Sequence, residues 1–84
     1  MYLNPKDYNL SSRALIKLKS ANHLIIVINR KSRIIMKDGF RVYEQKKSIQ
    51  KVNPNTKVSL ETSAPVCKKT KKYLFSKDVR IIEK

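Results

Sequence analysis

The sequence predicts a small α/β domain in the order α-β-α-β-α-β, with three parallel strands covered by three helices in two or three layers. Three observations carry this expectation. The aliphatic run from Leu24 to Ile28 has the length and β-branching of a strand buried on both faces. Lys57-Val58-Ser59-Leu60-Glu61-Thr62 alternates polar and apolar residues as a second strand. The stretches around them place apolar residues at three- and four-residue spacing, and strands that alternate with helices favour parallel pairing through right-handed crossovers.

Taken in order, residues 1–8 read as a flexible arm in which Pro5 excludes an early helix, and residues 9–84 form the single domain. Asn9 or Ser11 caps a first helix running to about Ser20. Leu10, Ala14, Leu15 and Leu18 share its inner face, away from Arg13, Lys17 and Lys19. Asn22 ends it, and the apolar strand His23 to Asn29 follows. Ser32 to Val52 admits two readings. As one helix it is capped by Ser32, carries Ile35, Val42 and Ile49 on one face, and turns Arg33, Lys37, Arg41, Glu44, Lys47 and Lys51 outward. As a hairpin it turns at Asp38-Gly39 and pairs Arg33–Lys37 with Phe40–Glu44. The helix is favoured because its period continues to Val52, although Gly39 inside it costs about 1 kcal/mol.

Asn53-Pro54-Asn55 marks a turn before the second strand. After that strand, Ser63 or Ala64 is the expected N-cap of a last helix, with Pro65 in its first turn. Val66, Thr70, Tyr73 and Leu74 face inward on it, and Lys68, Lys69, Lys71 and Lys72 face out. Ser76-Lys77-Asp78 closes the helix, and Val79 to Ile82 forms the third strand.

A length of 84 residues fits one domain, and 40% hydrophobic content is too apolar for a disordered tail. No apolar run approaches the ~18 residues of a membrane span, and the first residues lack the charged-then-apolar order of a signal peptide. A cytoplasmic protein without membrane insertion is expected. The single cysteine excludes an internal disulfide. One histidine, no Cys/His cluster and six scattered acids argue against a metal site.

Twenty Lys and Arg against six Asp and Glu give a net charge of +14. A chain this basic repels itself, and a polyanion relieves that repulsion. The 15 Lys to 5 Arg suit sequence-tolerant phosphate contact better than Arg forks reading bases. RNA or an RNA-containing assembly is the expected partner, ahead of DNA. The alternative is an accessory protein that docks on an acidic protein or pairs with its own copy, since three strands bury little surface.

In a parallel sheet the loops after the first two strands share the carboxyl edge, where α/β folds bind ligands. They read Asn29-Arg30-Lys31-Ser32-Arg33 and Thr62-Ser63-Ala64-Pro65-Val66-Cys67-Lys68. Each leads into a helix N-terminus with free N–H groups. The candidate nucleic-acid-binding set is therefore Arg30, Lys31, Ser32, Arg33, Lys37, Ser63, Lys68, Lys69, Lys71 and Lys72. Neither loop has the glycines of a phosphate-binding fingerprint, so no nucleotide cofactor is implied. Tyr2, Tyr8 and Phe40 are available to stack on unpaired bases if exposed. His23 has no acidic or nucleophilic neighbour in sequence and reads as structural. No acid pair or Ser-His-Asp spacing can be read, and no catalytic residue is assigned.

Cys67 would stand in the first turn of a helix beside four lysines, and both influences favour its thiolate. The stretch 58–82, VSLETSAPVCKKTKKYLFSKDVRII, resembles the strand–loop–cysteine–helix–strand segment of glutaredoxins. The resemblance covers less than a third of the chain. Ala64 stands where that family has its nucleophilic cysteine, so the resemblance implies at most a single-cysteine, thioredoxin-like protein without a CxxC couple. The order helix, apolar strand, basic loop, helix is also similar to that of small RNA-binding ribosomal proteins of the L7Ae/L30e type. That likeness is one of element order and size, and it carries over no residue.

Overall fold

The computed structural model describes residues 2–10 and 14–83. Its centre is the aliphatic strand β3 (His23–Ile28), with β4 (Lys57–Thr62) and β5 (Arg80–Glu83) beside it. β3 pairs with β4 and β4 with β5, both in parallel. Two strands precede them. β2 (Leu15–Ser20) pairs antiparallel with β3, and β1 (Tyr2–Leu3) pairs antiparallel with β2. The result is one five-stranded mixed sheet whose spatial order is the chain order. The helices are α1 (Met36–Val52) and α2 (Lys68–Ser76).

The expected first helix is thus a strand, and the sheet is not wholly parallel. Residues 15–20 carry two patterns at once. Leu10, Ala14, Leu15 and Leu18 have helical spacing, but Ile16-Lys17-Leu18-Lys19 alternates. The alternation prevails because β3, apolar on both faces, needs a hydrogen-bonded neighbour on each side. β2 supplies it, with Ala21-Asn22 as the connecting turn. Ile16 is then fully buried, and Leu15, expected on the inner helix face, is 46% exposed. The Ser11 cap and Arg13 lie outside the described residues. In the stretch read as an arm, Tyr2–Leu3 join the sheet and Pro5–Tyr8 make one turn of 3₁₀ helix, capped by the Asn4 side chain accepting from Lys6 N–H at 3.0 Å.

The helix reading of Ser32–Val52 holds, but α1 starts at Met36. Residues 31–35 stay outside the helix: Lys31-Ser32 make a bend, and Ile34 pairs with Val66 as an isolated parallel bridge. The cap is supplied by Asp38, whose carboxylate accepts the Ile35 N–H at 2.9 Å, and not by Ser32. Gly39, Val42, Lys46 and Ile49 form the buried stripe of α1. Ile34 is fully buried, whereas Ile35, expected on the inner face, is 49% exposed. α2 likewise begins later than expected, at Lys68 with Cys67 as N-cap, so neither Ser63 nor Ala64 caps it. Thr70 and Leu74 face inward as expected.

Both helices pack on one face of the sheet. Val42, Ile49, Leu74 and Val79 meet Ile16, Leu24, Ile26, Val58 and Leu60 in a single core. The architecture therefore has two layers. Ile25 and Val27 point away from that core yet are only 3% and 4% exposed. Their cover is an ion pair. Lys17 on β2 reaches across β3 to both carboxylate oxygens of Glu61 on β4, each at 3.1 Å. The lysine stem shields the aliphatic side chains beneath it.

Two devices fix the far end of α2. Asp78 adopts the left-handed conformation (φ 62°), Val79 N–H donates to the Leu74 carbonyl (2.9 Å) and Asp78 N–H to the Phe75 carbonyl (3.1 Å). This is a Schellman motif, with Val79 and Leu74 making its apolar contact in the core. The buried Lys46 ammonium of α1 donates to the Lys77 carbonyl there, so a cation from one helix caps the negative end of the other.

Candidate nucleic-acid interface

The parallel pairing of β3 and β4 brings the loops after them to one edge, and the structure fastens them together. Ile34 N–H donates to the Pro65 carbonyl (2.8 Å) and Cys67 N–H to the Ile34 carbonyl (2.9 Å). Ser63 Oγ reaches the Arg30 carbonyl at 3.5 Å. Beneath this bridge Ile34, Ala64 and Val66 form a small second core. Because the strand order never reverses, there is no switch-point crevice of the kind that usually holds ligands in open α/β sheets. The bridge makes this edge a stitched rim, and an open crevice of about 560 Å³ lies beside it between Ile28, Arg30, Asp38 and Arg41.

The candidate cations divide into two groups. Arg30 is turned inward. Its guanidinium bonds Asp38 and the carbonyls of Ser32 (3.3 Å) and Arg33 (3.1 Å), which shapes the loop. Lys71 is paired with Glu83 at 2.7 Å. Lys31, Arg33 and Lys37 are exposed on one side of the bridge and Lys68, Lys69 and Lys72 on the other, and none makes an ion pair among the described residues. Arg41, one turn along α1 from Lys37, is also exposed. Ser32 and Ser63 are exposed and cap no helix.

The helix N-termini are not free seats for a phosphate. Asp38 already fills that of α1. Burial opposes ionisation of Asp38, but the Arg30 guanidinium, the Ile35 N–H and the charge of Arg41 outweigh it and hold the carboxyl below its ordinary value. At α2 the Cys67 sulfur faces the Lys69 and Thr70 N–H groups without ideal cap geometry. Those N–H groups first, then the Thr70 hydroxyl and the Arg33 charge, pull the thiol below its usual pKa against a smaller opposing effect of burial.

No family model, curated protein or solved structure matches the chain. The residues themselves therefore define what the rim can do. It presents exposed cations on both sides of a stitched loop pair, and its nearest carboxylate, Asp38, is consumed internally. Among the described residues no three His, Cys, Asp or Glu side chains group to hold a metal ion. No helix of the described residues is long and apolar enough to cross a membrane.

The aromatic candidates separate. Tyr8 packs against the core. Phe40 is 50% exposed but meets Tyr73 edge to face, with centroids 5.0 Å apart. Tyr2 is 60% exposed on β1.

Sequence reasoning missed a second basic cluster, on the sheet face turned away from the helices. His23 lies opposite Lys57, and Ser59 opposite Arg80. Lys19, at the irregular end of β2, adjoins His23. With residues 15–20 read as a helix, Lys19 had no reason to approach this face.

Proposed function

We propose that this chain is a non-catalytic protein that binds RNA, or an RNA-containing assembly, through phosphate contacts along the rim. The observation that carries the reading is the exposure of Lys31, Arg33, Lys37, Lys68, Lys69 and Lys72 in the two segments joined by the Ile34–Val66 bridge, none of them ion-paired among the described residues. Lysine-dominated contact suits backbone charge, and the rim offers no set of base-reading side chains. Arg30 serves here by holding the loop, so its role is structural support for Lys31 and Arg33.

The test is binding to a single-stranded oligouridylate as salt is varied. Six phosphate contacts predict that log K falls with log salt at a slope of about −4. Reversing Lys31 and Arg33 to Glu weakens binding and flattens the slope. A salt-independent affinity, or partners recovered from cell extract in equal amount after ribonuclease, refutes the reading and favours docking on an acidic protein.

A further inference from the structure

The basic cluster on the uncovered sheet face lies at the opposite end of β3 and β4 from the rim. An open groove of about 970 Å³ wraps around this end of the sheet, from Lys19, His23, Lys57 and Arg80 on the uncovered face, past the loop before β4, to Lys46 and Lys71 on the helices. The register explains the convergence. His23 begins β3 opposite Lys57, and the neighbouring row on the same face is Ile25, Ser59 and Arg80. β2, β3, β4 and β5 each place one of the side chains Lys19, His23, Lys57 and Arg80.

We propose that this groove is a second anion site, which takes a phosphate group on Lys19, Lys57 and Arg80 and binds it more tightly when His23 is protonated.

Three observations support this. First, cations dominate the face around the ring: β2 contributes Lys17 and Lys19, β4 contributes Lys57, and β5 contributes Arg80. The carboxylates nearby are Glu61, held by Lys17; Glu83, held by Lys71; and Asp78 on the groove wall. Second, Ser59 Oγ lies 2.6 Å from His23 Nε2 and is itself buried. A hydroxyl can donate to a neutral ring nitrogen or accept from a protonated one, so His23 can gain a proton without losing this contact. Third, the surroundings of the ring disfavour its protonation. Burial, then the charges of Lys19, Lys57 and Arg80, keep its pKa below the ordinary value. An anion among those cations cancels part of their field and lets the proton on, and by linkage the protonated ring binds the anion more tightly. The site stands whether or not the rim binds RNA.

His23 is the single histidine of the chain, so its ring proton resonance is a clean reporter. The experiment follows that resonance from about pH 4 to 8 with dimethyl phosphate, with a nucleoside monophosphate, or with sodium chloride at matched ionic strength. The expected result is a midpoint about one pH unit higher with a phosphate probe than with chloride, which corresponds to about tenfold tighter binding by the protonated ring. A shift with the diester supports the site and assigns it to a nucleic-acid backbone. A shift with the monoester alone supports it and assigns it to a terminal phosphate. Identical midpoints in all three solutions overturn it. The exposed double variant Lys57→Ala/Arg80→Ala, with its fold checked by its amide spectrum, raises the midpoint in chloride and removes the response to phosphate. An undiminished response in that variant also overturns the proposal.

Discussion

Gly39→Ala is the substitution on which helix propensity and packing disagree most sharply. In an isolated helix it would stabilise by about 1 kcal/mol. Here α2 approaches closely: a methyl at position 39 would lie 3.0 Å from Thr70 Cγ2, 3.5 Å from Tyr73 Cδ2 and 4.0 Å from Leu74 Cγ. Thr70 is fully buried and has little room to yield. Overpacking of this kind costs about 1–3 kcal/mol, so the net effect is a loss of about 1 kcal/mol, or about 4–8 °C in melting temperature for a domain of this size. Thr70→Ser removes the obstructing methyl and alone costs about 1 kcal/mol. The double variant should be at least as stable as the parent, giving a coupling of at least about 2 kcal/mol in urea unfolding followed by circular dichroism. A stabilised Gly39→Ala, or strictly additive losses, would refute the argument that helix approach selects glycine here.

Other expectations follow from the same geometry. Asp38→Asn keeps an acceptor for the Ile35 N–H but removes the charge that meets Arg30 and the helix dipole, and should cost about 1 kcal/mol. Because the folded carboxyl ionises below its ordinary value, its contribution is present above the unfolded pKa and is lost as pH falls through the folded one. Unfolding curves should therefore separate parent and variant near neutrality and converge in acid. Asp78→Gly relieves the left-handed backbone at the end of α2 and should stabilise by about 1 kcal/mol, read as a higher urea midpoint. Lys46→Met breaks the bond to the Lys77 carbonyl and should cost about 1.5–3 kcal/mol in the same assay. Cys67 should react with iodoacetamide at neutral pH faster than an unperturbed thiol, and more slowly once Arg33 is changed to Glu.

Much of the fold was legible because its signals were redundant. Leu24 to Ile28 combined length, β-branching and continuous apolarity, and the strand begins at His23 as expected. Val42 and Ile49 identified the buried stripe of α1. What escaped the sequence was tertiary in origin. Residues 15–20 satisfied two periods, and only the unpaired edge of β3 decided between them. The late starts of α1 and α2 share one cause, the Ile34–Val66 bridge, which joins residues 32 positions apart and has no local signature. The rim cations could be named individually, but that Arg30 turns inward while Lys31 and Arg33 remain exposed depends on where Asp38 sits one turn into α1.

A sheet whose spatial order matches the chain order also constrains how the molecule comes into being. Each strand docks beside the one formed just before it, after a hairpin or a single helix, so no pairing waits for a segment from the far end. Closure entropy is met in instalments, one connection at a time. The domain can be assembled by accretion as the polypeptide emerges, with every completed unit serving as the template for the next.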